Sequence, residues 1–421
     1  MEIIAQYGSI LIWVTAIFGF FMAFGVGAND VSNAMGTSVG SGTITPKQAI
    51  IIAMIFEAAG AYLAGGEVTE TIKSGVIDTM EFIAEPEVLV FGMMAALFAS
   101  GAWLLIASKM GWPVSTTHSI IGAIIGFACV TAGPHSVDWS NIKNIVGSWF
   151  VTPVIAGIIA YAIFISTQKL IFDTEKPLRN AQKYGPYYMG LTTFILCIVT
   201  ISKGLTHIGL ELSSNQTFLL SGAISVLSII YCYFYFRSKK FISKMSKKGP
   251  FGGVEKVFSI LMLMTACAMA FAHGSNDVAN AIGPLSAVVS IVESGGQVAA
   301  SGPLAWWILP LGAAGIVVGL VAMGYKVMAT IGTGITDLTP SRGFAAQFAT
   351  AMTVVVASGT GLPISTTQTL VGAVLGIGFA RGIAAINLTV IRNIVMSWLI
   401  TLPAGAFFSI IIYYVLVAVF R

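Results

Sequence analysis

The chain has 421 residues, of which 56% are hydrophobic and 9% charged, and its formal net charge at pH 7 is +4. Charged residues make up about a quarter of ordinary soluble domains, so this composition excludes that class and indicates a polytopic membrane protein. The cysteines lie singly in apolar runs without metal-site spacing, which predicts small core side chains rather than disulfides or zinc ligands. They are Cys129, Cys197, Cys232 and Cys267.

Apolar runs of about 20 residues, the length that crosses the hydrocarbon core of a bilayer, recur along the chain. They predict an all-α membrane protein with about 12 transmembrane helices. In chain order the predicted spans cover residues 9–27, 47–66, 87–108, 114–132, 142–167, 187–204, 217–236, 254–273, 304–325, 343–359, 363–381 and 391–418.

Two loops are rich in basic residues, which cytoplasmic loops retain. Segments 168–183 and 237–256 hold eleven of the 21 lysines and arginines, and two predicted spans separate them. Placing both loops in the cytoplasm leaves the acidic loop 67–87 and both chain termini outside. We therefore predict a multi-pass protein of the cell membrane, either an inner or a plasma membrane, with extracytoplasmic N- and C-termini.

The sequence contains one series of motifs twice. GANDVSNAMG at 27–36 recurs as GSNDVANAIG at 274–283, and GWPVSTTHSIIGAIIGF from Gly111 recurs as GLPISTTQTLVGAVLGI from Gly361. Seven predicted spans separate equivalent points, and an odd number places the second copy in the opposite orientation. Inverted repeats with glycine- and proline-interrupted segments are typical of secondary transporters.

The predicted organisation follows from this duplication. Repeat one covers residues 1–167 with spans 1–5, and repeat two covers 254–421 with spans 8–12. Residues 168–253 form a linker with two spans and the basic cytoplasmic loops. Broken or re-entrant helices are expected at the duplicated polar motifs.

Asp30 and Asp277 occupy matching positions in the first motif. A carboxylate inside a bilayer is costly unless it has a partner, and neither motif contains a lysine or arginine, so a metal ion or a proton is the expected counter-charge. The neighbouring glycines permit an unwound backbone. Oxygen ligands suit a small hard cation such as sodium, with Asn33 and Asn280 as amide ligands. Helix capping by the same residues is the alternative.

The second motif predicts an anion site. After each Gly-x-Pro break the proline is expected to begin a helix, which places a Ser-Thr-Thr triplet in its first turn. Helix N-termini attract anions because their amides and macrodipole favour negative charge, and two inverted termini can converge on one oxyanion. Back-bonding of the hydroxyls within the helix is the alternative. The candidate anion-binding residues are Ser115, Thr116, Thr117, Ser365, Thr366, Thr367, Asn29 and Asn276.

These motifs resemble those of the inorganic phosphate transporter (PiT) family of sodium- or proton-coupled phosphate permeases. The paired blocks GANDVSNA and GSNDVANA, PVSTTHSIIGAIIGF and PISTTQTLVGAVLG, and LTPSRGFAAQFATAMTV from Leu338 carry the resemblance over nearly the whole chain. It implies a secondary active transporter that imports phosphate by symport with sodium, by alternating access around a site at the repeat interface. Asp30 and Asp277 would then be cation ligands, and the Ser-Thr pairs would contact phosphate.

The resemblance adds two candidate sodium ligands. Glu57 matches an intramembrane glutamate that the family uses in transport, and Gln347 stands where eukaryotic members carry glutamate. The short central loop resembles prokaryotic members. No enzymatic activity and no resident cofactor are expected, and sodium serves as the coupling ion. The expected partners are inorganic phosphate, sodium and membrane lipids, with no nucleic acid, and a homodimer with a second copy of the chain stays open.

Other functions remain open from the sequence. Proton coupling would use titratable groups near the motifs, for which His118 and His273 are candidates. A sulfate permease of the same family would carry another tetrahedral oxyanion. An intramembrane enzyme could pair Ser115 with His118, and an ion channel would need a continuous pathway.

Overall fold

The computed structural model describes residues 2–201, 212–238, 241, 249–298, 304–334 and 337–421. Fourteen α-helices contain most of these residues, and no strand occurs among them. In chain order the helices are α1 (Glu2–Gly40), α2 (Pro46–Ala64), α3 (Gly66–Ser74), α4 (Pro86–Met110), α5 (Thr116–Thr131), α6 (Trp139–Thr167), α7 (Pro177–Val199), α8 (Ser214–Arg237), α9 (Gly249–Asp277), α10 (Ala279–Glu293), α11 (Ile308–Gly334), α12 (Pro340–Gly359), α13 (Thr366–Arg381) and α14 (Leu388–Phe420).

The helices confirm the predicted membrane class. Within the described part of the chain, eight helical stretches are long and apolar enough to cross a membrane, and α5 is a shorter apolar helix. Each of the twelve predicted spans overlaps one helix, although the end of span 187–204 and part of the basic loop 237–256 lie outside the described residues. All four cysteines are free; Cys232 and Cys267 are buried, as predicted for core side chains, whereas Cys129 and Cys197 are partly exposed.

The first duplicated motif does not unwind its helix. α1 continues without interruption to Gly40, so the unwound backbone expected there is absent. In the second copy Val278, the one residue between α9 and α10, has helical φ and ψ values of −59° and −32°, so this copy does not unwind either. The glycines serve close packing instead. A Cβ on Gly27 would meet the backbone of Ile316 in α11.

The two repeats form equivalent helix crossings. At the crossing of α2 with α9, a Cβ on Gly274 would meet the backbone of Glu57, and one on Gly60 would meet the backbone of Phe271. At the crossing of α1 with α11, Gly319 faces the backbone of Phe24 in the same way. Each repeat therefore supplies one helix to each crossing.

The expected helix breaks after α4 and α12 are present. Gly111 and Gly361 adopt positive φ values of 70° and 71°, a conformation that favours glycine. The next helices begin at Thr116 and Thr366, three residues after each proline rather than at the proline. The prolines lie in the extended connection that leads to each helix start.

Both chain ends lie on one side of the helix assembly. The ring of Tyr7 contacts that of Phe420 with centroids 6.0 Å apart, and Arg421 Nη2 lies 3.2 Å from Glu85 Oε2 at the start of α4. An even number of spans requires this arrangement. That this side is extracytoplasmic stays a prediction.

The glycine crossings generate a stability prediction. Gly274→Ala places a methyl group against the Glu57 carbonyl, a backbone atom that no rotamer change can move, so unfolding should become easier by more than the ~1–3 kcal/mol of ordinary overpacking. The matched control is Gly147→Ala in α6, whose added Cβ meets no atom within 4 Å. We expect it to leave stability unchanged or raise it by up to about 1 kcal/mol. Thermal unfolding in detergent measures both, and equal melting temperatures would contradict the packing argument.

Candidate substrate and ion site

The serines of the two Ser-Thr-Thr triplets cap their helices. Ser115 Oγ accepts a hydrogen bond from the backbone N–H of His118 at 3.2 Å, and Ser365 Oγ accepts one from Gln368 at 3.2 Å. Each hydroxyl thereby satisfies one of the amides that a helix start leaves unpaired. The threonines that follow direct their hydroxyls to the centre of the molecule.

The starts of α5 and α13 meet head to head. Thr117 Oγ1 donates to the carbonyl of Ile364 at 2.9 Å, and Thr367 Oγ1 donates to the carbonyl of Val114 at 3.1 Å. The two bonds are equivalent under exchange of the repeats. Convergence of two helix starts was predicted from the sequence, and this geometry produces it.

Asp30 lies at this meeting point and is 1% exposed. Its Oδ2 accepts a hydrogen bond from Thr116 at 2.7 Å, and its Oδ1 accepts one from Asn33 at 3.0 Å. Thr367 Oγ1 lies 3.3 Å from Oδ1 and can donate its one proton either there or to the Val114 carbonyl. Polar side chains of both repeats therefore surround this carboxylate. Such donors stabilise a buried charge without neutralising it.

Asp277 is the equivalent carboxylate and is fully buried. Its Oδ2 accepts a hydrogen bond from Thr366 at 2.8 Å, which matches the bond between Thr116 and Asp30. Its Oδ1 has no hydrogen-bond partner among the described residues. The second aspartate therefore keeps one oxygen available to a ligand.

The asparagines of the first motif cross from one repeat to the other. The amide group of Asn33 donates to the two threonines that begin α13, at 3.2 and 2.8 Å. The amide group of Asn280 donates to the two threonines that begin α5, at 3.2 and 3.3 Å. The predicted cation ligands and anion ligands thus form one connected cluster at the repeat interface.

Asn29 and Asn276, predicted to contact the anion, hold the broken connections in place. Asn29 Nδ2 donates to the Trp112 carbonyl at 2.9 Å, and Asn29 Oδ1 accepts from the Val114 N–H at 3.1 Å. Asn276 Nδ2 donates to Ser358 Oγ at 2.9 Å and to the Leu362 carbonyl at 3.4 Å. Both side chains fix the backbone that precedes the helix starts.

Gln347 lies in a separate group of contacts. Its Oε1 accepts a hydrogen bond from Ser38 at 3.0 Å and lies 3.5 Å from Thr265 Oγ1, and its amide donates to the Ala34 carbonyl. These contacts join α12 to α1 and α9. The structure therefore places this predicted sodium ligand near the end of α1, outside the threonine cluster.

His273, which the sequence suggested as a titratable group and not as a ligand, lies among the buried acids. Its Nε2 is 3.0 Å from Asp277 Oδ2 and 3.9 Å from Asp30 Oδ2, and its Nδ1 is 3.3 Å from Glu57 Oε1. Asp30, His273 and Asp277 each offer a ligand atom within 4.8 Å of the others. The cluster thus contains a buried imidazole nitrogen that the motif pattern did not place there.

Several buried oxygens of the cluster have no donor. Those of the described residues include Asn33 Oδ1, Asn280 Oδ1, Asn276 Oδ1 and Asp277 Oδ1. Buried acceptors are costly without a partner, and a group of them suits a hard cation, which prefers carboxylate and amide oxygens. The residues present therefore fit a cation next to the two helix starts.

Residues 26–409 match the sequence model of the Phosphate transporter family. This chain belongs to the phosphate transporter family. A protein of Haemophilus influenzae named "Putative phosphate permease" is 76% identical over 421 residues, which cover 100% of both chains. A phosphate permease homologue of Pyrococcus abyssi is 43% identical over 403 residues, which cover 96% of this chain and 97% of the relative.

A solved structure named "The sodium-dependent phosphate transporter" has the same fold as this family member. It is 41% identical, and the superposition has a TM-score of 0.90 and covers 97% of this chain and 99% of the other. Family membership, together with the helices long enough to span a bilayer, identifies the chain as a multi-pass membrane transporter.

The geometry does not support the serine enzyme considered from the sequence. Ser115 Oγ contacts the backbone of His118 and not its ring. The His118 ring packs on Trp149 with centroids 3.8 Å apart, and neither ring nitrogen has a hydrogen-bond partner among the described residues. A nucleophile and a general base need to be within hydrogen-bond reach of each other.

The paired threonine bonds generate a second prediction. Thr117→Val and Thr367→Val each remove the donor to a buried carbonyl of the opposite repeat, so each should destabilise the protein by about 1–3 kcal/mol. Thr353→Val is the matched control because its hydroxyl bonds only to the Ala349 carbonyl in its own helix. Its effect should stay below about 0.5 kcal/mol. Thermal unfolding in detergent compares the three variants, and equal losses would contradict a special role for the helix starts.

Proposed function

We propose that this family member imports inorganic phosphate by symport with sodium ions, by alternating access around the cluster at Asp30 and Asp277. The observation that carries the proposal is the set of buried oxygens without donors beside two converging helix starts. With that combination, an anion and a cation can bind next to each other.

The helix starts support the anionic ligand. Four threonine hydroxyls and the amides of α5 and α13 lie at the meeting point, and helix N-termini favour negative charge. The hydroxyls of Thr116, Thr117, Thr366 and Thr367 are the proposed phosphate donors. Ser115 and Ser365 contribute by capping the helices that carry them.

The acids support the cations. Two buried carboxylates would repel a phosphate anion, and sodium ions between them and the phosphate would offset that repulsion. Asp30, Asp277, Asn33 and Asn280 are the proposed ligands, because the aspartate oxygens accept from the threonines and the asparagines, whose amide groups donate to the threonines, keep Oδ1 atoms without a donor. The name of the sodium-dependent structural relative supports the choice of ion.

Coupling follows from shared side chains. The threonines that would bind phosphate also donate to the aspartates or accept from the asparagines that would bind sodium. Binding of phosphate therefore changes the donors and acceptors that are available to sodium, and binding of sodium changes those that are available to phosphate. Because these bonds join the two repeats, ligand binding also alters the contacts that must rearrange when the site changes its access.

The sodium dependence is directly testable. Uptake of labelled phosphate into proteoliposomes at fixed pH should be concentrative under an inward sodium gradient and absent when potassium replaces sodium. Asp30→Asn and Asp277→Asn should reduce concentrative uptake to background, because each removes a charge that holds a coupling ion. Asp173→Asn, at an exposed position after α6, is the control and should transport like the parent.

Proton coupling is the second candidate function. The observation that favours it is the position of His273 between three buried carboxylates. Under this mechanism uptake would follow a pH gradient in sodium-free buffer. Uptake of that kind, with no response to sodium, would overturn the sodium proposal.

The free acceptor oxygens also predict anion selectivity. Phosphate that retains a proton can donate a hydrogen bond to an oxygen such as Asn276 Oδ1, which is not among the proposed sodium ligands, whereas sulfate cannot. A ~100-fold excess of sulfate should therefore leave most phosphate uptake intact, because sites built to accept a substrate proton reject analogues without one. Arsenate, tetrahedral and protonated, is the matched competitor and should inhibit. Equal inhibition by both anions would contradict this selectivity.

A further inference from the structure

The two equivalent helix crossings differ in polarity at the positions next to their central glycines. His273 precedes Gly274 as Val26 precedes Gly27 in the first copy. Glu57 is the residue whose backbone faces Gly274, and Ile316 is the residue whose backbone faces Gly27. The crossing of α2 with α9 therefore carries an acid and an imidazole where that of α1 with α11 carries two hydrocarbon side chains.

The acid and the imidazole form a chain that ends at Asp277. Glu57 Oε1 lies 3.3 Å from His273 Nδ1, and His273 Nε2 lies 3.0 Å from Asp277 Oδ2. All three side chains are fully buried. These are close contacts between ionisable groups and not aligned hydrogen bonds, because neither ring nitrogen and neither Glu57 oxygen has a hydrogen-bond partner among the described residues. A carboxylate next to a ring nitrogen still restricts how the imidazole can turn.

Contact with His273 leaves the two aspartates in different states. Asp277 Oδ2 accepts a hydrogen bond from Thr366 and lies 3.0 Å from the imidazole Nε2, whereas Asp277 Oδ1 is buried without a donor among the described residues. Both oxygens of Asp30 accept hydrogen bonds, from Thr116 and Asn33. A cation can contact Asp277 Oδ1 without competing with a donor, whereas at Asp30 it shares both oxygens with hydroxyl and amide donors.

Glu57 is placed to support this arrangement rather than to bind the ion. Asp30, His273 and Asp277 offer ligand atoms within 4.8 Å of one another, and Glu57 is not in that group. The imidazole stands between Glu57 and the aspartates. The close crossing of α2 and α9 at Gly274 and Gly60 fixes the position of the Glu57 backbone relative to α9, which carries His273.

We propose that Glu57 is a positioning residue that acts through His273, and that this pair preorganises Asp277 Oδ1 as the first cation site, filled before phosphate binds. Asp30 binds its cation later, when phosphate accepts the hydrogen bonds of the threonine hydroxyls in place of the carboxylate. The inference rests on the proposed sodium symport and reassigns Glu57, expected from the sequence to be a sodium ligand.

The first test measures sodium binding without phosphate. The thermal unfolding of the purified full-length protein in detergent is followed as sodium replaces potassium at constant ionic strength. The parent and Asp30→Asn should both be stabilised by sodium. Asp277→Asn, Glu57→Ile and His273→Val should require at least ~10-fold more sodium for the same shift, the scale on which contacting buried residues couple. Ile316→Val, at the equivalent apolar crossing, is the control and should respond like the parent.

A double variant separates positioning from direct ligation. Glu57→Ile combined with His273→Val copies the Ile316 and Val26 pair that the chain already packs at the other crossing, so it is expected to fold. If Glu57 acts through His273, the double variant should show the sodium shift of the His273→Val variant alone. It should also melt above both single variants, because each single change leaves a buried polar partner unpaired.

Three outcomes would overturn the inference: independent, multiplicative effects of the two substitutions, loss of the sodium response in Asp30→Asn with retention in Asp277→Asn, or no sodium response in the parent without phosphate. Sodium-driven uptake by the parent is measured in parallel. If uptake depends on sodium but these patterns fail, the positioning role is wrong while the symport proposal stands. If the patterns hold but uptake does not depend on sodium, the symport proposal is wrong while the positioning role stands.

Discussion

Inside a bilayer, polar groups must find their partners within the protein, and the centre of this chain is where that constraint acts most strongly. Two helix starts, two carboxylates and two asparagines are buried together, and neither repeat alone supplies enough donors and acceptors for them. The solution is exchange between repeats. Asn33 contacts the threonines of α13, Asn280 contacts those of α5, and the two helix starts bond to each other's preceding backbone.

The arrangement of the helices follows from the need to bring these groups together. Glycines at the two crossings allow backbones to touch, which places the Asp30 segment of α1 and the Asp277 segment of α9 beside the helix starts. Close approach through small residues is the usual basis of helix packing in membranes. The same residues are compatible with an unwound helix, so the sequence could not decide between unwinding and close packing. The structure selects close packing at Gly27.

Much of the site was predictable because it is duplicated. Apolar run lengths located the helices, and the paired aspartates and Ser-Thr-Thr triplets identified the residues that meet at the centre. Which asparagine meets which threonine was not predictable, because a motif gives spacing within its own segment and not its partner. The helix starts were predicted three residues too early, since proline tolerates both a first turn and an extended connection.

His273 was hardest to place from the sequence. Glu57, the acid opposite the imidazole, lies on α2. The segment of repeat two that corresponds to α2 aligns at a different offset from the main motifs, so the sequence shows no equivalent acid there. A departure from internal symmetry is informative when one repeat carries charge and the other hydrocarbon at the same crossing. At such a position the two repeats do not carry equivalent side chains, in contrast to the paired motifs of the duplicated core.

The contact between Tyr7 and Phe420 brings the beginning of repeat one next to the end of repeat two. A short peptide could bridge these ends without crossing the bilayer, and the polypeptide could then be opened at another surface loop. The order of synthesis of the two halves is therefore not imposed by the architecture, and a circularly permuted gene would encode the same set of helix contacts.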